Sequence, residues 1–345
     1  MINVLIVDDS AVVRKILSQE LSKFPDINVV GTAIDPYMAR EKIVQLKPDV
    51  ITLDLEMPRM DGLSFLAKLM KHFPMPVVVL SSLTVDKSEA ALKALELGAV
   101  EVLGKPGSSF STQNISQRLA EAIRVAAKAN ITQRAAFAKT ASFNSVGLTG
   151  LQTTYQVVAI GASTGGTKAL ETVLTPLPLS FPGTVVVQHM PEQFTRTFAQ
   201  RLNELSQITI REAEEGDSII PGQALIAPGN RHMVIERSGG TYKVKLKDGP
   251  RVHYQRPAVD VLFQSVAEQA GKNVVGVILT GMGADGATGM KAMHDRGAYN
   301  IAQNEESCVV FGMPKEAIKA GGVDEIIALD DIPNAMIKAL SKKKV

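Results

Sequence analysis

Short apolar runs alternate along this chain with stretches whose apolar residues recur every three or four positions. In the first half, the runs at 4–7, 29–33, 50–53, 77–81 and 100–103 read as strands. The segments near 11–24, 37–46, 62–72, 87–98 and 114–128 read as helices. Five strand–helix repeats predict a parallel, doubly wound sheet. The pattern stops over 131–153, a stretch without an acidic residue and rich in Ser, Thr, Ala and Gly. It reads as a linker that carries two isolated phenylalanines, Phe137 and Phe143. Beyond it the run at 157–160 predicts a buried strand, 161–166 a tight turn and 167–174 a helix. Further buried strands are expected at 185–187 and 274–280. The fold class is therefore α/β in both halves.

Composition narrows the reading. A length of 345 residues favours two domains. With 45% apolar and 21% charged residues and a net charge of +2, the chain has no charge excess for nucleic acid or a membrane surface. No run reaches the roughly 18 apolar residues of a membrane span. The start, with Asp8-Asp9 close behind Met1, does not resemble a signal peptide. A single cysteine, Cys308, excludes an internal disulfide and suits a reducing compartment. We expect a cytoplasmic monomer without membrane insertion.

Ligands of parallel sheets bind beyond the carboxyl ends of the strands. In the first half the chemistry lies there. Asp8-Asp9 follows the first run, Asp54 ends the third, Ser81 ends the fourth and Lys105 follows the fifth. Clustered carboxylates repel one another unless a cation joins them. Mg²⁺ accepts such oxygens and keeps room for a phosphate. Asp54 can then attack a phosphoryl group and form an acyl phosphate. Lys105 would pair with one phosphate oxygen and the Ser81 hydroxyl with another. The Lys105-Pro106 peptide is expected to be cis and to aim the lysine.

Together with Met57-Pro58 and Asp61-Gly62, these positions resemble the receiver domain of two-component response regulators, over about residues 1–128. The resemblance implies a flavodoxin-like, five-stranded fold with Asp54 as phosphoacceptor. It implies Mg²⁺ held by Asp8, Asp9, Asp54 and the Glu56 carbonyl. One departure is Val102, where many receivers carry an aromatic, so a rotating-aromatic switch is not expected.

In the second half, Gly161-Ala162-Ser163-Thr164-Gly165 fits G-x-S-x-G in its required strand–turn–helix setting. A helix N-terminus behind Ser163 would favour an oxyanion. A serine capping an ordinary turn explains the same residues equally well. The rest of the chain tips the balance. His189 follows the run at 185–187 and Asp285 follows the run at 274–280. A serine, a histidine and an aspartate thus stand after three strands of one sheet, which is what a triad needs, whatever the chain order. A dinucleotide site is the rival, because Gly281-Met282-Gly283-Ala284-Asp285-Gly286 also matches G-x-G-x-x-G with Glu305 and Glu306 further on. Against it, Asp285 would repel a pyrophosphate. His72, His232, His253 and His294 lack metal-ligand spacing and read as structural or surface residues. Cys308 beside Val309-Val310-Phe311 reads as a small buried hydrophobe.

This half, about 154–341, resembles the chemotaxis-specific protein-glutamate methylesterases, the CheB family. The resemblance rests on Ile160 through Gly166, Gln188-His189-Met190-Pro191, Ile226-Ala227-Pro228-Gly229, Arg256-Pro257 through Asp260, Leu279 through Gly286 and Ala302-Gln303-Asn304. It implies a doubly wound catalytic domain over 154–345 behind a receiver over 1–128 and a linker over 129–153. Ser163, His189 and Asp285 map onto the triad, the Met282 backbone N–H onto the oxyanion donor and Thr164 onto a further active-site position. It implies no cofactor in the esterase half. The substrate would be glutamate methyl esters, and some glutamines, on chemoreceptors, and the phosphodonor a histidine kinase. An unphosphorylated receiver is expected to cover the site.

Overall fold

The computed structural model describes residues 1–81, 88–105, 112–129 and 155–342. The chain divides into two compact units, Met1–Ala138 and Lys139–Val345. Pro106, Phe137 and Phe143 lie outside the described residues, and so does the expected cis peptide at Lys105-Pro106.

The first unit runs β1 (Ile2–Val7), α1 (Ala11–Leu21), β2 (Ile27–Ala33), α2 (Pro36–Leu46), β3 (Val50–Asp54), α3 (Gly62–His72), β4 (Val77–Ser81), α4 (Ser88–Glu96), β5 (Glu101–Gly104) and α5 (Thr112–Ala126). Its sheet is parallel, in the order β2-β1-β3-β4-β5. β3 and β4 are buried along their whole length, which is why they read as unbroken apolar runs rather than as alternating ones. Side chains set the helix starts. Asp35 accepts from the Met38 N–H at 2.9 Å and Asp61 from the Ser64 N–H at 2.8 Å. The order of strands reverses between β1 and β3, so Asp8 and Asp54 stand at the switch point.

The second unit runs β6 (Val157–Ala162), α6 (Gly166–Leu174), β7 (Gly183–Gln188), α7 (Glu192–Leu205), β8 (Thr209–Glu212), β9 (Ser218–Ile219), β10 (Gln223–Ile226), β11 (His232–Ser238) and β12 (Thr241–Lys247). It continues with α8 (Val259–Ala270), β13 (Val274–Ile278), α9 (Ala287–Asp295), β14 (Tyr299–Gln303), α10 (Met313–Lys319), β15 (Glu325–Ile327) and α11 (Ile332–Lys342). Seven strands form a parallel sheet in the order β15-β14-β13-β6-β7-β10-β8. A small antiparallel sheet, β11-β12-β9, lies beside it. The chain runs outward from β6 on one side and returns to β13 on the other. Ser163, His189 and Asp285 therefore follow three adjacent strands, β6, β7 and β13.

α8 shows how the core fixes this arrangement. Its buried residues, Val259, Leu262, Phe263, Val266, Ala267 and Ala270, recur at helical spacing and pack with β6, β7 and β13 in one apolar cluster. Truncating the fully buried Phe263 to alanine costs about 3–5 kcal/mol by the usual core cost. It would also loosen the helix whose first turn reaches the site.

Candidate active site

Ser163 leaves β6 in a turn that only small residues allow. A Cβ on Gly161 would stand 2.3 Å from the Val259 Cγ1, so this glycine lets α8 approach the strand end. Gly165 has φ +79° and lies against Val309. The Ser163 N–H donates to the Thr280 carbonyl at 3.0 Å, and the Ser163 carbonyl accepts from the Gly166 N–H at 2.7 Å. The hydroxyl is left free to face the next strand.

There it meets His189, whose Nδ1 lies 3.0 Å from the Ser163 Oγ. The other ring nitrogen, Nε2, lies 2.7 Å from the Asp285 Oδ2. The His189 side chain is 5% exposed and that of Asp285 2%, so both act away from bulk water. Burial alone would raise the Asp285 carboxyl. The hydrogen bond and charge of His189 outweigh it, together with the Asp260 and Val259 N–H groups, and hold the carboxyl below its ordinary value. An ionised Asp285 fixes the proton on Nε2 and leaves the Nδ1 lone pair toward the serine. The serine protease template presents Nε2 to its serine. Here the ring is used the other way round.

The loop after β13 completes the pocket. A Cβ on Gly281 would fall 2.3 Å from the Met313 Sδ and 2.7 Å from the Ser163 Cβ, so the loop backbone rests on the nucleophile. No acceptor for the Met282 N–H occurs among the described residues, as an oxyanion donor requires. Gly286, at φ +94°, clears space for Ile278 and Val259. These contacts account for all but one of the glycines that matched a dinucleotide fingerprint. Asp285 points at His189 rather than toward a ribose or pyrophosphate site.

Sequence reasoning missed the residues that hold the turns. The Gln188 Nε2 donates to the Ser163 carbonyl at 3.0 Å and to the His189 carbonyl at 3.2 Å. The Thr280 Oγ1 donates to the Thr164 carbonyl at 3.0 Å, while the Gln303 Oε1 accepts from the Thr280 N–H at 2.8 Å. Their signal was visible, since each is a polar residue ending an apolar run. Thr164 itself is 7% exposed beside the nucleophile. His232 is structural, with Nδ1 accepting the Ala258 N–H at 3.3 Å and Nε2 2.9 Å from the Pro250 carbonyl. The Cys308 thiol is pushed up to about 12 by burial, which makes it inert.

In the first unit the expected acids meet. The Lys105 Nζ lies 2.5 Å from the Asp54 Oδ2 and 3.1 Å from the Asp8 Oδ2. Burial pushes the Asp54 carboxyl up, against the pull of Lys105 and the Glu56 N–H. Burial also works against the lysine charge, but the Asp54 and Asp8 carboxylates prevail and raise it. Asp9 is exposed at the rim, and Ser81 is buried at the end of β4.

This donor set fits a hard divalent cation. One oxygen each from Asp8, Asp9 and Asp54 can be chosen within 4.8 Å of one another. The buried Asp8 Oδ2 accepts no hydrogen bond and has Lys105 as its ion-pair partner. An oxygen-only site with exposed Asp9 leaves room for waters, as Mg²⁺ prefers.

Known proteins share both halves. The CheB methylesterase family description matches residues 158–336 and the response regulator receiver domain matches residues 4–120. A protein-glutamate methylesterase/protein-glutamine glutaminase 2 of Syntrophus aciditrophicus is 56% identical over 338 residues, covering 98% of each chain. A protein-glutamate methylesterase/protein-glutamine glutaminase of Salmonella typhimurium is 53% identical over 342 residues, covering 99% of this chain and 97% of its own. The crystal structure of the Thermotoga maritima CheB methylesterase catalytic domain is 40% identical with a TM-score of 0.52, covering 53% of this chain and 97% of that one.

Proposed function

The chain belongs to the CheB methylesterase family, and we propose that Ser163, His189 and Asp285 carry its hydrolysis under the control of Asp54. It is a phosphorylation-activated protein-glutamate methylesterase and protein-glutamine glutaminase, restoring glutamates on chemoreceptors and so giving sensory adaptation. The observation that carries the residue assignment is the unbroken path from the Ser163 Oγ through the His189 ring to the Asp285 Oδ2.

The His189 Nδ1 takes the Ser163 proton as Oγ attacks the ester carbonyl carbon. The carbonyl oxygen becomes an oxyanion, and the Met282 N–H donates to it. The tetrahedral adduct collapses, its C–O bond to the methoxy group breaks, and Nδ1 returns the proton to the departing methanol. Water, deprotonated by the same nitrogen, attacks the acyl carbon. The bond to the Ser163 Oγ breaks and Nδ1 returns the proton to Oγ, leaving a receptor carboxylic acid that ionises to the carboxylate. Glutamines follow the same path with ammonia as leaving group. Thr164 lines the site beside the nucleophile. The exposed edge of Met282, at 38%, is consistent with a pocket open to a side chain on a folded partner.

In the receiver, Asp54 is the phosphoacceptor: its carboxylate attacks the phosphorus of a phosphohistidine on the chemotaxis kinase, the P–N bond breaks, and the kinase imidazole leaves. Lys105 pairs with the incoming phosphoryl oxygens, and Ser81 donates to one. Asp8, Asp9, Asp54 and the Glu56 carbonyl would hold Mg²⁺, which supplies charge neutralisation during transfer. We assign 1–128 to the receiver, 129–153 to the linker and 154–345 to the esterase. The matches over 4–120 and 158–336 support these bounds, as does the division of the units at Ala138 and Lys139. No described helix is long and apolar enough to cross a membrane, and we assign the protein to the cytoplasm, acting as a monomer.

The test is methanol release from methylated receptor membranes, with and without Mg²⁺ and a small phosphodonor. Release that rises with the phosphodonor and vanishes in Ser163→Ala supports both halves of the reading. Unstimulated release removes the Asp54 switch, and no release removes the substrate.

A further inference from the structure

Two acids next to the site hold each other's helices. Asp285, in the turn before α9, accepts from the Val259 N–H and the Asp260 N–H, both at 2.8 Å, in the first turn of α8. Asp260 reaches back to α9, where its Oδ1 accepts from the Gly289 N–H at 2.7 Å. Each helix start leaves N–H groups without partners in its own helix, and each is satisfied by the carboxylate of the other. The Asp260 Oδ2 then meets the His253 Nε2 at 3.0 Å. Ligand atoms of Asp260, Asp285 and His253 can be chosen within 4.8 Å of one another.

The placement of His253 is costly for the backbone. His253 and Tyr254 have φ +50° and +62°, between Val252 and Gln255, whose backbones bond to each other at 3.0 and 2.9 Å. That two-residue turn prefers Asn-Gly. A left-handed histidine persists where its surroundings hold it, and such strain clusters at functional sites. Asp260 is costly as well. An asparagine would accept from Gly289 without setting a second acid beside Asp285. Burial raises the Asp260 carboxyl and the Asp285 charge raises it further, against Gly289 and His253.

We propose that Asp260 is a positioning residue of the esterase: its backbone N–H holds Asp285 against His189, and its carboxylate ties α9 to α8 and adds negative potential behind the triad, with His253 as its outer partner. This rests on the Ser163–His189–Asp285 reading. The charge favours the imidazolium that forms when Nδ1 takes the serine proton. The other charged groups near Asp260 are engaged or lie across a cleft. Glu236 pairs with Lys245 at 2.7 Å, Lys247 lines the same cleft from β12, and Glu268, two turns further along α8, accepts from the Gln264 Nε2 at 3.2 Å. On α9, Lys291 pairs with Asp295, and the His294 Nε2 lies 3.4 Å from the Asp324 Oδ1.

The experiment compares full-length wild type with Asp260→Asn and His253→Gln by methanol release from methylated receptor membranes across pH. Asp260→Asn is expected to lower kcat about tenfold with KM held, and to move the acid limb of kcat/KM down by about half a pH unit. His253→Gln, on an exposed turn, takes the imidazole off the Asp260 Oδ2 and moves the limb the other way. A lower melting temperature with the limb unmoved in both variants would mean a structural cap only and would overturn the proposal. Ser163→Ala runs alongside. Activity in that variant would instead overturn the triad reading itself.

Discussion

The His189 ring faces the Ser163 Oγ through Nδ1, at 3.0 Å, and keeps Nε2 for Asp285. The neutral imidazole must therefore carry its proton on Nε2. Nitrogen NMR of the free enzyme should show a protonated Nε2 and an unprotonated Nδ1. A proton on Nδ1 would leave the serine without an acceptor and sink the assignment.

Asp285→Asn should lower kcat by about 10³–10⁴-fold, since an amide no longer fixes the tautomer. Its effect on stability should depend on pH. The folded carboxyl sits below its ordinary 3.8, so its contribution is present above that value and lost as pH falls through the lower folded one. The stability gap between wild type and variant, read from chemical denaturation, should thus be widest near neutrality and close in acid. A gap that grows on acidification would reverse the sign.

Gly281→Ala places a methyl group against the Met313 sulfur and the Ser163 Cβ. The buried Met313 sulfur can shift only within a packed core, and the Ser163 Cβ is held by its own turn, so the loop that carries Met282 has to move. We expect a loss of about 1–3 kcal/mol in stability by the usual cost of overpacking. The fall in kcat should exceed the rise in KM. Wild-type turnover in this variant would show that the loop does not bear on the nucleophile.

Much of this was legible in the sequence for one physical reason. Parallel strands end where ligands bind, so polar residues at or just beyond the end of an apolar run stand out: Asp54 closes one, and Ser163, His189 and Asp285 follow others within a few residues. The strand at 77–81 and the helix at 62–72 also appear at those bounds, as β4 and α3. What stayed hidden depends on contacts between distant segments. β8, β9 and β10, of four, two and four residues, are too short for a period to show, whereas β12 alternates Tyr242, Val244 and Leu246 with lysines and was open to a period-two reading. The Val259 and Asp260 N–H groups leave no trace in side-chain pattern. His253 was set aside as a surface histidine, and only the fold brings it to Asp260.

Asp54→Asn should abolish the increase in methanol release given by a small phosphodonor. Removing residues 1–146 should raise basal release, if the unphosphorylated receiver restrains the esterase. An unchanged or lower rate in the truncated protein counts against that restraint.

Cys308 should resist alkylation at pH 8 in the folded protein and react on denaturation, because its thiol ionises only near about 12. Rapid labelling of the native protein would contradict its burial.

The three residues of the esterase site come from β6, β7 and the turn after β13, and Asp285 is anchored only once α8 has docked. During synthesis the nucleophile therefore emerges from the ribosome long before its aspartate. A nascent or truncated chain holds a serine with no relay behind it. The chemistry is therefore complete only when the last third of the polypeptide has folded onto the strands that precede it.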